Sequence, residues 1–243
     1  MGGVRLTPGT DWEPARKPVK EQHMMEQEVG RRNLERLRIE ELDASEIEEA
    51  VEVIVRGMRD NPNNVAAFGR DPEVRHRRLL RLFGAMASAE VPGRDRNMLA
   101  ARRSDGSILG VCGMVPPGRC QPGLRQQLRL MPTVLALGPR SAGRTMKWLG
   151  TWAKHDPEKR HWHLGPVAVD VHLQGRGIGS MLMRAFCEGM DAAGEDAYLE
   201  TDKPENVRFY ERFGFEVVGE EEVIGVANWF MMRPAEMAVQ YLS

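Results

Sequence analysis

The chain has almost no net charge, few cysteines and no long apolar run. Its 34 lysines and arginines nearly balance its 35 aspartates and glutamates, so a net charge of −1 gives no general attraction to nucleic acid or anionic membranes. No apolar stretch approaches the ~20 residues that a membrane-spanning helix needs, and the first 30 residues lack the apolar core of a secretory signal. We therefore expect neither nucleic acid nor a membrane as a partner.

The chain has too few cysteines for a disulfide framework or a cysteine-rich zinc site. Cys112, Cys120 and Cys187 are odd in number and form no CxxC pair, so they complete neither a disulfide framework nor a familiar zinc knuckle. The sequence therefore predicts a reducing, cytoplasmic location and no metal site.

The composition is that of a folded domain with a polar addition at its start. Apolar residues make up 42% of the chain and charged residues 28%, which is enough to bury a core beneath a polar surface. Residues 1–34 are polar, carry three prolines and show only a weak apolar rhythm. We expect them to form an N-terminal extension, either mobile or helical, and residues 35–243 to form one domain.

Hydrophobic periodicity predicts strands that alternate with helices. The predicted strands are Leu37–Leu42, Met98–Ala101, Ile108–Val115, Trp162–Val171, Ala197–Thr201, Phe215–Gly219 and Asn228–Arg233. The predicted helices are one that begins near Ile47, then Pro72–Ala87, one or two within Leu124–His155, Ile178–Ala193 and Asn206–Phe213. A turn signal between the second and third strands indicates an antiparallel hairpin, so this order favours a mixed α/β sheet in one domain.

Some charged and aromatic residues have structural interpretations that we favour over functional ones. The helix from Pro72 carries four arginines whose spacing is typical of a solvated face, although it could also hold an anion. The four are Arg75, Arg77, Arg78 and Arg81. Asp60 is best explained as a turn residue, and His161 and His163 as hydrogen-bonded core residues.

The most informative stretch is a glycine-dense turn between a predicted strand and a predicted helix. It runs from Gln174 to Ser180 and has three glycines in five residues. Glycine allows the backbone to approach a ligand closely, and the first amides of the following helix have no acceptor within the helix. Such a turn favours a phosphate, with about 1 kcal/mol from the helix dipole, and a tight turn that binds nothing is the alternative.

The spacing of these glycines excludes two common phosphate motifs. Ser180 occupies the place of the third glycine in GxGxxG, and no Gly-Lys pair completes a P-loop. The stretch instead resembles the acyl-CoA signature of the GNAT superfamily of N-acetyltransferases, through Gln174, Gly177 and Gly179. Further along, Asn206 and residues 209–215 are similar to the Asn, Tyr and Gly-Phe positions of the same family.

This resemblance implies a fold and a co-substrate. The fold is a single GNAT-like α/β (α+β) domain, with a mixed, mostly antiparallel sheet that is flanked by helices and splayed at the acetyl-CoA site. By resemblance, Val167, Ala168 and Val169 contact the pantetheine arm of acetyl-CoA, and Asn206 holds that arm near the thioester. The residues implied to surround the pyrophosphate are Gln174, Gly175, Arg176, Gly177, Ile178, Gly179 and Ser180.

The reaction places physical demands on two further side chains. Tyr210 is placed to donate a hydrogen bond to the departing thiolate, because a phenol with a pKa of about 10 is protonated at neutral pH. Glu200, at the end of a predicted strand, is the candidate base for the incoming ammonium. A core position for Tyr210 and a surface ion pair for Glu200 are the competing interpretations.

The sequence therefore predicts an N-acetyltransferase that moves an acetyl group from acetyl-CoA to the primary amine of a small molecule. We expect direct attack in a ternary complex, since no cysteine in the signature segments is placed to serve as a nucleophile. A protein or peptide amine as acceptor and a non-catalytic acyl-CoA sensor are the alternatives. The identity of the acceptor and the existence of a homodimer stay open.

Overall fold

The computed structural model describes residues 37–89 and 97–235. The predicted N-terminal extension, residues 1–34, lies outside the described residues. Within them, no helix combines the length and the apolar character needed to cross a membrane.

Seven strands and seven α-helices alternate along the described chain. The strands are β1 Arg38–Glu41, β2 Asn97–Arg102, β3 Ile108–Val115, β4 Trp162–Val169, β5 Ala197–Thr201, β6 Glu216–Val223 and β7 Val226–Arg233. The helices are α1 Ile47–Met58, α2 Pro62–Phe68, α3 Pro72–Ala89, α4 Leu124–Ala136, α5 Pro139–His155, α6 Ile178–Ala193 and α7 Pro204–Glu211.

Local signals placed most of these elements correctly. The bounds predicted for β3, β5 and α6 agree with the structure, and α6 ends at Gly194, which has a left-handed φ of +65°. Asp43 caps the short 3₁₀ turn before α1 and forms a capping box with Glu46. The short helix α2 was not predicted, and the proline within Leu124–Ala136 does not interrupt α4.

The strands form one mixed sheet in the order β1-β2-β3-β4-β5-β7-β6. Every neighbouring pair is antiparallel except β4 and β5, which run parallel. This parallel pair is short, because its register contains only Trp162 opposite Ala197 and His163 opposite Tyr198. Beyond that point β4 and β5 separate within the described sheet, so the predicted splay is confirmed.

Helices α1 and α6 cover opposite faces of the sheet. Val111 of β3 lies in a buried cluster with Val53 and Ile54 of α1. A Cβ atom on the preceding residue, Gly110, would lie 3.3 Å from Ile178 at the start of α6. Because successive strand residues face opposite sides, the sheet is enclosed between these two helices.

Helix α1 approaches the sheet closely at Gly57, near the end of the helix. A Cβ atom at this position would lie 2.5 Å from the main-chain oxygen of Val169 on β4. No side chain can occupy that space unless α1 moves away from the strand. Gly57 therefore fixes how closely α1 approaches the end of β4, where the glycine-rich turn begins.

Replacing Gly57 with alanine is expected to lower the free energy of unfolding by about 1–3 kcal/mol, because the added methyl group overpacks this contact. The matched control is Gly143→Ala in the middle of α5, where a Cβ atom meets nothing within 4 Å. That change should raise stability by about 0.5–1 kcal/mol through the better helix propensity of alanine. Denaturant titration of both variants measures the difference, and equal effects would contradict the tight contact.

Candidate functional site

The turn between β4 and α6 is held against α1 by side-chain hydrogen bonds. Arg56 on α1 donates its Nε–H to Asp170 over 2.8 Å. Burial is the largest single influence on Asp170 and raises its pKa, but the hydrogen bonds from Arg56 and the main-chain N–H of His172, together with the charges of these two residues, lower the pKa overall. Gln174 donates its side-chain amide to the main-chain oxygens of Gly57 and Val169, both at 3.1 Å. These contacts position the backbone of the turn.

Two glycines give this turn its shape. Gly175 has a φ of +74° and Gly177, the N-cap of α6, has a φ of +86°. Both values lie in the left-handed region, which side-chain-bearing residues adopt only with strain. The backbone can therefore turn sharply from β4 into α6 without a Cβ atom over the helix end.

The N-terminus of α6 offers main-chain hydrogen-bond donors. Met181 makes the first bond of this helix, from its N–H to the oxygen of Gly177 at 3.1 Å. The N–H groups of Ile178, Gly179 and Ser180 precede it, so they have no acceptor within the helix. Together with the positive end of the helix dipole, these groups can bind an anion such as a phosphate.

A cleft of about 410 Å³ extends from this helix end along β4 to α7. Ten of the eleven residues predicted to bind acetyl-CoA line it, and so does Tyr210. The ten are Val167, Ala168, Val169, Gln174, Gly175, Gly177, Ile178, Gly179, Ser180 and Asn206. Arg176 is exposed and is not among the lining residues. The cleft lies where β4 has separated from β5.

The other wall of the cleft contains residues that sequence reasoning missed. Gly57, Met58 and Asn61 come from α1 and the turn after it, and Lys203 and Arg212 flank α7. The guanidinium of Arg212 lies 5.1 Å from the ring centre of Phe209, which also lines the cleft. The positive charges of Lys203 and Arg212 add to the positive potential of the α6 N-terminus.

Helix α7 places Asn206 and Tyr210 one turn apart on the cleft. The side-chain amide of Asn206 donates to the hydroxyl oxygen of Thr201 over 3.2 Å, which fixes it beside the end of β5. Tyr210 is 8% exposed, and burial raises the pKa of its hydroxyl above the usual value. The phenol is therefore protonated at neutral pH and can donate a hydrogen bond into the cleft.

Glu200 is not among the residues that line the cleft. Its carboxylate accepts a hydrogen bond from the Nε2 of His163 at 2.8 Å, and its side chain is only 4% exposed. The ion-pair interpretation is correct about the partnership, but the side chain of Glu200 is buried and does not lie at the surface. His161 is buried as well, and both histidines are hydrogen-bonded, as predicted.

A second buried carboxyl group, that of Asp202, lies beside the end of β5 and was not singled out from the sequence. It accepts the main-chain N–H of Asn63 over 2.7 Å, and burial raises its pKa. The side chain of Asn63 donates to Asn228 on β7, which also accepts the indole N–H of Trp152. This network joins α2, α5, β5 and β7 on the α1 side of the sheet.

Two of the four arginines on α3 are bound to acceptors within the protein. Arg75 is 4% exposed, pairs with Asp60, and donates to the main-chain oxygens of Arg59 and Gly69. Arg78 donates to the main-chain oxygen of Phe68 and the hydroxyl of Ser141. The predicted solvated face is wrong for Arg75, because its acceptors come from other segments and bury it, while Arg78 is half-buried. Asp60 is thus held in a structural ion pair.

Comparison with known proteins associates this arrangement with one family. Residues 72–215, which are more than half of the chain, match the acetyltransferase (GNAT) family. The matched region contains β2 to β5, the glycine-rich turn, α6 and α7.

Solved structures with related architecture share little sequence with the chain. One is a structure of "histone acetyltransferase HPA2 and related acetyltransferase" from Corynebacterium glutamicum, with 21% identity, a TM-score of 0.62, and coverage of 84% of this chain and 98% of that one. Arylalkylamine N-acetyltransferase 2 from Aedes aegypti is 15% identical, with a TM-score of 0.55 and coverage of 82% and 99%. Polyamine N-acetyltransferase from Drosophila melanogaster is 13% identical, with a TM-score of 0.54 and the same coverages. These likenesses establish the fold.

Proposed function

Because the chain belongs to the acetyltransferase (GNAT) family, we propose that it transfers an acetyl group from acetyl-CoA to the primary amine of a small molecule. The observation that carries this proposal is the cleft that runs along the part of β4 that has separated from β5. It connects the anion-binding end of α6 with Tyr210, so one extended ligand can reach both. Structural relatives named for arylalkylamines and polyamines support a small-molecule acceptor.

The residues around the cleft fit acetyl-CoA by their chemistry. The glycine-rich turn presents main-chain N–H groups where the pyrophosphate of this family's co-substrate would bind, and Gly177 leaves that space free of a side chain. On the side away from β3, Val167, Ala168 and Val169 have no strand partner in the described sheet, which suits the amide groups of a pantetheine arm. Asn206 and the cations Lys203 and Arg212 complete the proposed site.

The proposed reaction forms a bond between the amine nitrogen and the acetyl carbon and breaks the bond from that carbon to sulfur. A main-chain N–H near Val169 would stabilise the negative oxygen that develops. Tyr210 would donate its proton, or a hydrogen bond, to the departing sulfur. The amine must lose a proton, for which Glu200 is the proposed base. No acyl-enzyme is needed, since the amine attacks the thioester directly.

Replacing the carboxyl group of Glu200 or of Asp202 by an amide tests which residue is the base. Glu200→Gln is expected to lower kcat about tenfold, because the amide cannot take a proton but can still accept the hydrogen bond from His163. Asp202→Asn is the matched control, since its amide oxygen can still accept the N–H of Asn63. Steady-state kinetics of both variants decides the assignment, and a loss confined to Asp202→Asn would transfer the role to Asp202.

The charge of a second cleft indicates which chemical class of acceptor the protein would bind. It measures about 720 Å³ and carries four arginines, Arg70, Arg78, Arg140 and Arg144, among its lining residues. Pro62 lines this cleft and the preceding residue, Asn61, lines the first one, so both clefts border the start of α2. The positive charge of this second cleft favours an acceptor that carries a carboxylate or phosphate group besides its amine.

The proposed function is tested by CoA release from acetyl-CoA with a panel of amines. The panel contains amino acids and aminoalkyl phosphates, then agmatine and an arylalkylamine, and a histone-tail peptide as the protein acceptor. Puromycin is included because segments 161–164, 174–180, 198–201, 206–215 and 228–231 also resemble puromycin N-acetyltransferase in pattern. We expect turnover with a small amine, fastest with an anionic one.

Each other outcome favours a named alternative. Turnover with the peptide alone would indicate a protein acetyltransferase. Tight binding of acetyl-CoA without product from any amine would indicate an acyl-CoA sensor. If neither binding nor turnover occurs, the proposed function is wrong. Where acetyl-CoA binds but no panel amine is acetylated, mass spectrometry of amine-rich extracts incubated with labelled acetyl-CoA distinguishes an acceptor outside the panel from an acyl-CoA sensor.

A further inference from the structure

Four side chains of the types that bind transition metals converge near the start of β4. They are Cys120 from the β3–α4 connection, Asp156 at the end of α5, and His161 and His163. One potential ligand atom from each residue lies within 4.8 Å of the other three. Asp156 Oδ1 is 3.2 Å from His161 Nε2 and 3.6 Å from His163 Nδ1, and Cys120 Sγ is 3.5 Å from His161 Nε2.

Hydrogen bonds outside the cluster leave the correct ring nitrogens available. His161 Nδ1 lies 2.7 Å from the main-chain oxygen of Lys159, so this nitrogen carries the proton and donates. His163 Nε2 lies 2.8 Å from the carboxylate of Glu200 and donates in the same way. The remaining nitrogens, Nε2 of His161 and Nδ1 of His163, both face Asp156. In metal sites, a histidine that binds the ion with one ring nitrogen is usually oriented by a hydrogen bond from its other ring nitrogen to a carboxylate or a main-chain oxygen.

We propose that Cys120, Asp156, His161 and His163 bind one zinc ion. A tetrahedral zinc site with bonds of about 2.0 Å to nitrogen and oxygen and about 2.3 Å to sulfur separates its ligands by roughly 3.3–3.6 Å. Three of the pair distances in the cluster, 3.2, 3.5 and 3.6 Å, are close to this separation, and every pair lies within 4.8 Å. A thiolate with two imidazoles favours zinc over magnesium or calcium, which prefer oxygen ligands. The Cys120 thiol releases its proton to solvent when the ion binds.

The cluster is partly buried but can be reached from solvent. The side chain of His161 is 4% exposed, that of Asp156 is 14% exposed and that of His163 is 21% exposed. Partial burial protects the ion from competing water, while the exposed edges provide an entry path. The bound ion would fix the connection that contains Cys120 and the end of α5 to the start of β4.

The same residues do not have the geometry of a cysteine nucleophile with its histidine and aspartate. That arrangement needs the thiol on one ring nitrogen of the histidine and the carboxylate on the other. Here Cys120 and Asp156 both contact Nε2 of His161, and Nδ1 is used by the oxygen of Lys159. Convergence on one nitrogen is the geometry of ligands around an ion.

The experiment uses the tag-free full chain and readouts that do not depend on acetyl transfer. The protein is stripped with a chelator, then titrated with Zn²⁺ by calorimetry and with Co²⁺ by absorption spectroscopy. We expect one ion per chain, a higher melting temperature with Zn²⁺, and a Co²⁺ spectrum with a thiolate charge-transfer band and tetrahedral d–d bands. Absence of Zn²⁺ binding, or a Co²⁺ spectrum without the thiolate band, would overturn the proposal even if no variant can be purified.

Variants assign the ion to these residues. Cys120→Ser and His161→Gln should each weaken Zn²⁺ binding more than about 100-fold, which exceeds the loss typical of outer-shell changes. His76→Gln on α3 is the matched control and should bind Zn²⁺ as the unaltered protein does. Affinity retained in both cluster variants would place the ion elsewhere. An acetyl adduct on Cys120 after incubation with acetyl-CoA alone would favour the nucleophile and overturn the zinc site.

Discussion

Replacement of Gly177 by valine is expected to weaken acetyl-CoA binding by about 100-fold. Gly177 has a φ of +86°, and a β-branched residue in that conformation costs about 2 kcal/mol, so the turn must shift to relieve the strain. The shift re-aims the first N–H groups of α6, and losing one charge-assisted hydrogen bond costs about 1.5–3 kcal/mol. A loss of about 2.8 kcal/mol, near the upper end of this hydrogen-bond range, corresponds to the stated factor. Calorimetric titration with acetyl-CoA measures it.

The matched control is Gly194→Val at the other end of the same helix. Gly194 has a φ of +65°, so valine strains the backbone similarly, but this residue does not line the cleft. We expect a lower melting temperature with an unchanged dissociation constant for acetyl-CoA. Unaltered affinity in Gly177→Val, or an equal loss in both variants, would contradict the role of the turn as the pyrophosphate site.

Replacement of Tyr210 by phenylalanine is expected to lower kcat about 100-fold, the lower end of the range for general acid catalysis. The ring stays in place, so the dissociation constant for acetyl-CoA should change little. A thiolate with a pKa of about 8.5 can leave without help, which explains why activity should persist. Because burial raises the pKa of Tyr210, the unaltered enzyme should lose no activity through Tyr210 ionisation below about pH 10.

The comparison of kcat, binding and stability separates this role from that of a core residue. If Tyr210 only fills space, removing its hydroxyl should alter the melting temperature and leave kcat within about twofold. If it donates to the departing sulfur, kcat should fall while acetyl-CoA affinity and stability are kept. An unchanged kcat would contradict the proposed acid.

The part of the site that could be predicted is local in the chain. The glycine-rich turn, the helix that follows it and the next short helix lie within residues 174–215, and each is specified by its own residues. Gly177 had to be glycine for the turn, and the helix start had to present free N–H groups. Gln174 was assigned to the right turn, but the structure shows its side chain bound to main-chain oxygens of Gly57 and Val169.

The parts that could not be predicted depend on segments distant in sequence. Arg75 is buried because main-chain oxygens of Arg59 and Gly69 come close to it, and no local pattern reports that. Glu200 was judged from its strand alone, which carries no information about His163 beside it. The cluster around Asp156 is assembled from three segments, so the spacing of its residues matches no metal motif.

The sequence by itself determined the order of the strands and of most helices, the glycine-rich turn and the resemblance to acetyltransferases, because these follow from periodicity and backbone conformation over short stretches. Only the tertiary structure decided which charged groups are buried, which residues form the second wall of the cleft, and where cysteine, histidine and aspartate meet. Burial and electrostatic pairing depend on distances between atoms far apart in the chain, and folding sets those distances through the packing of whole elements.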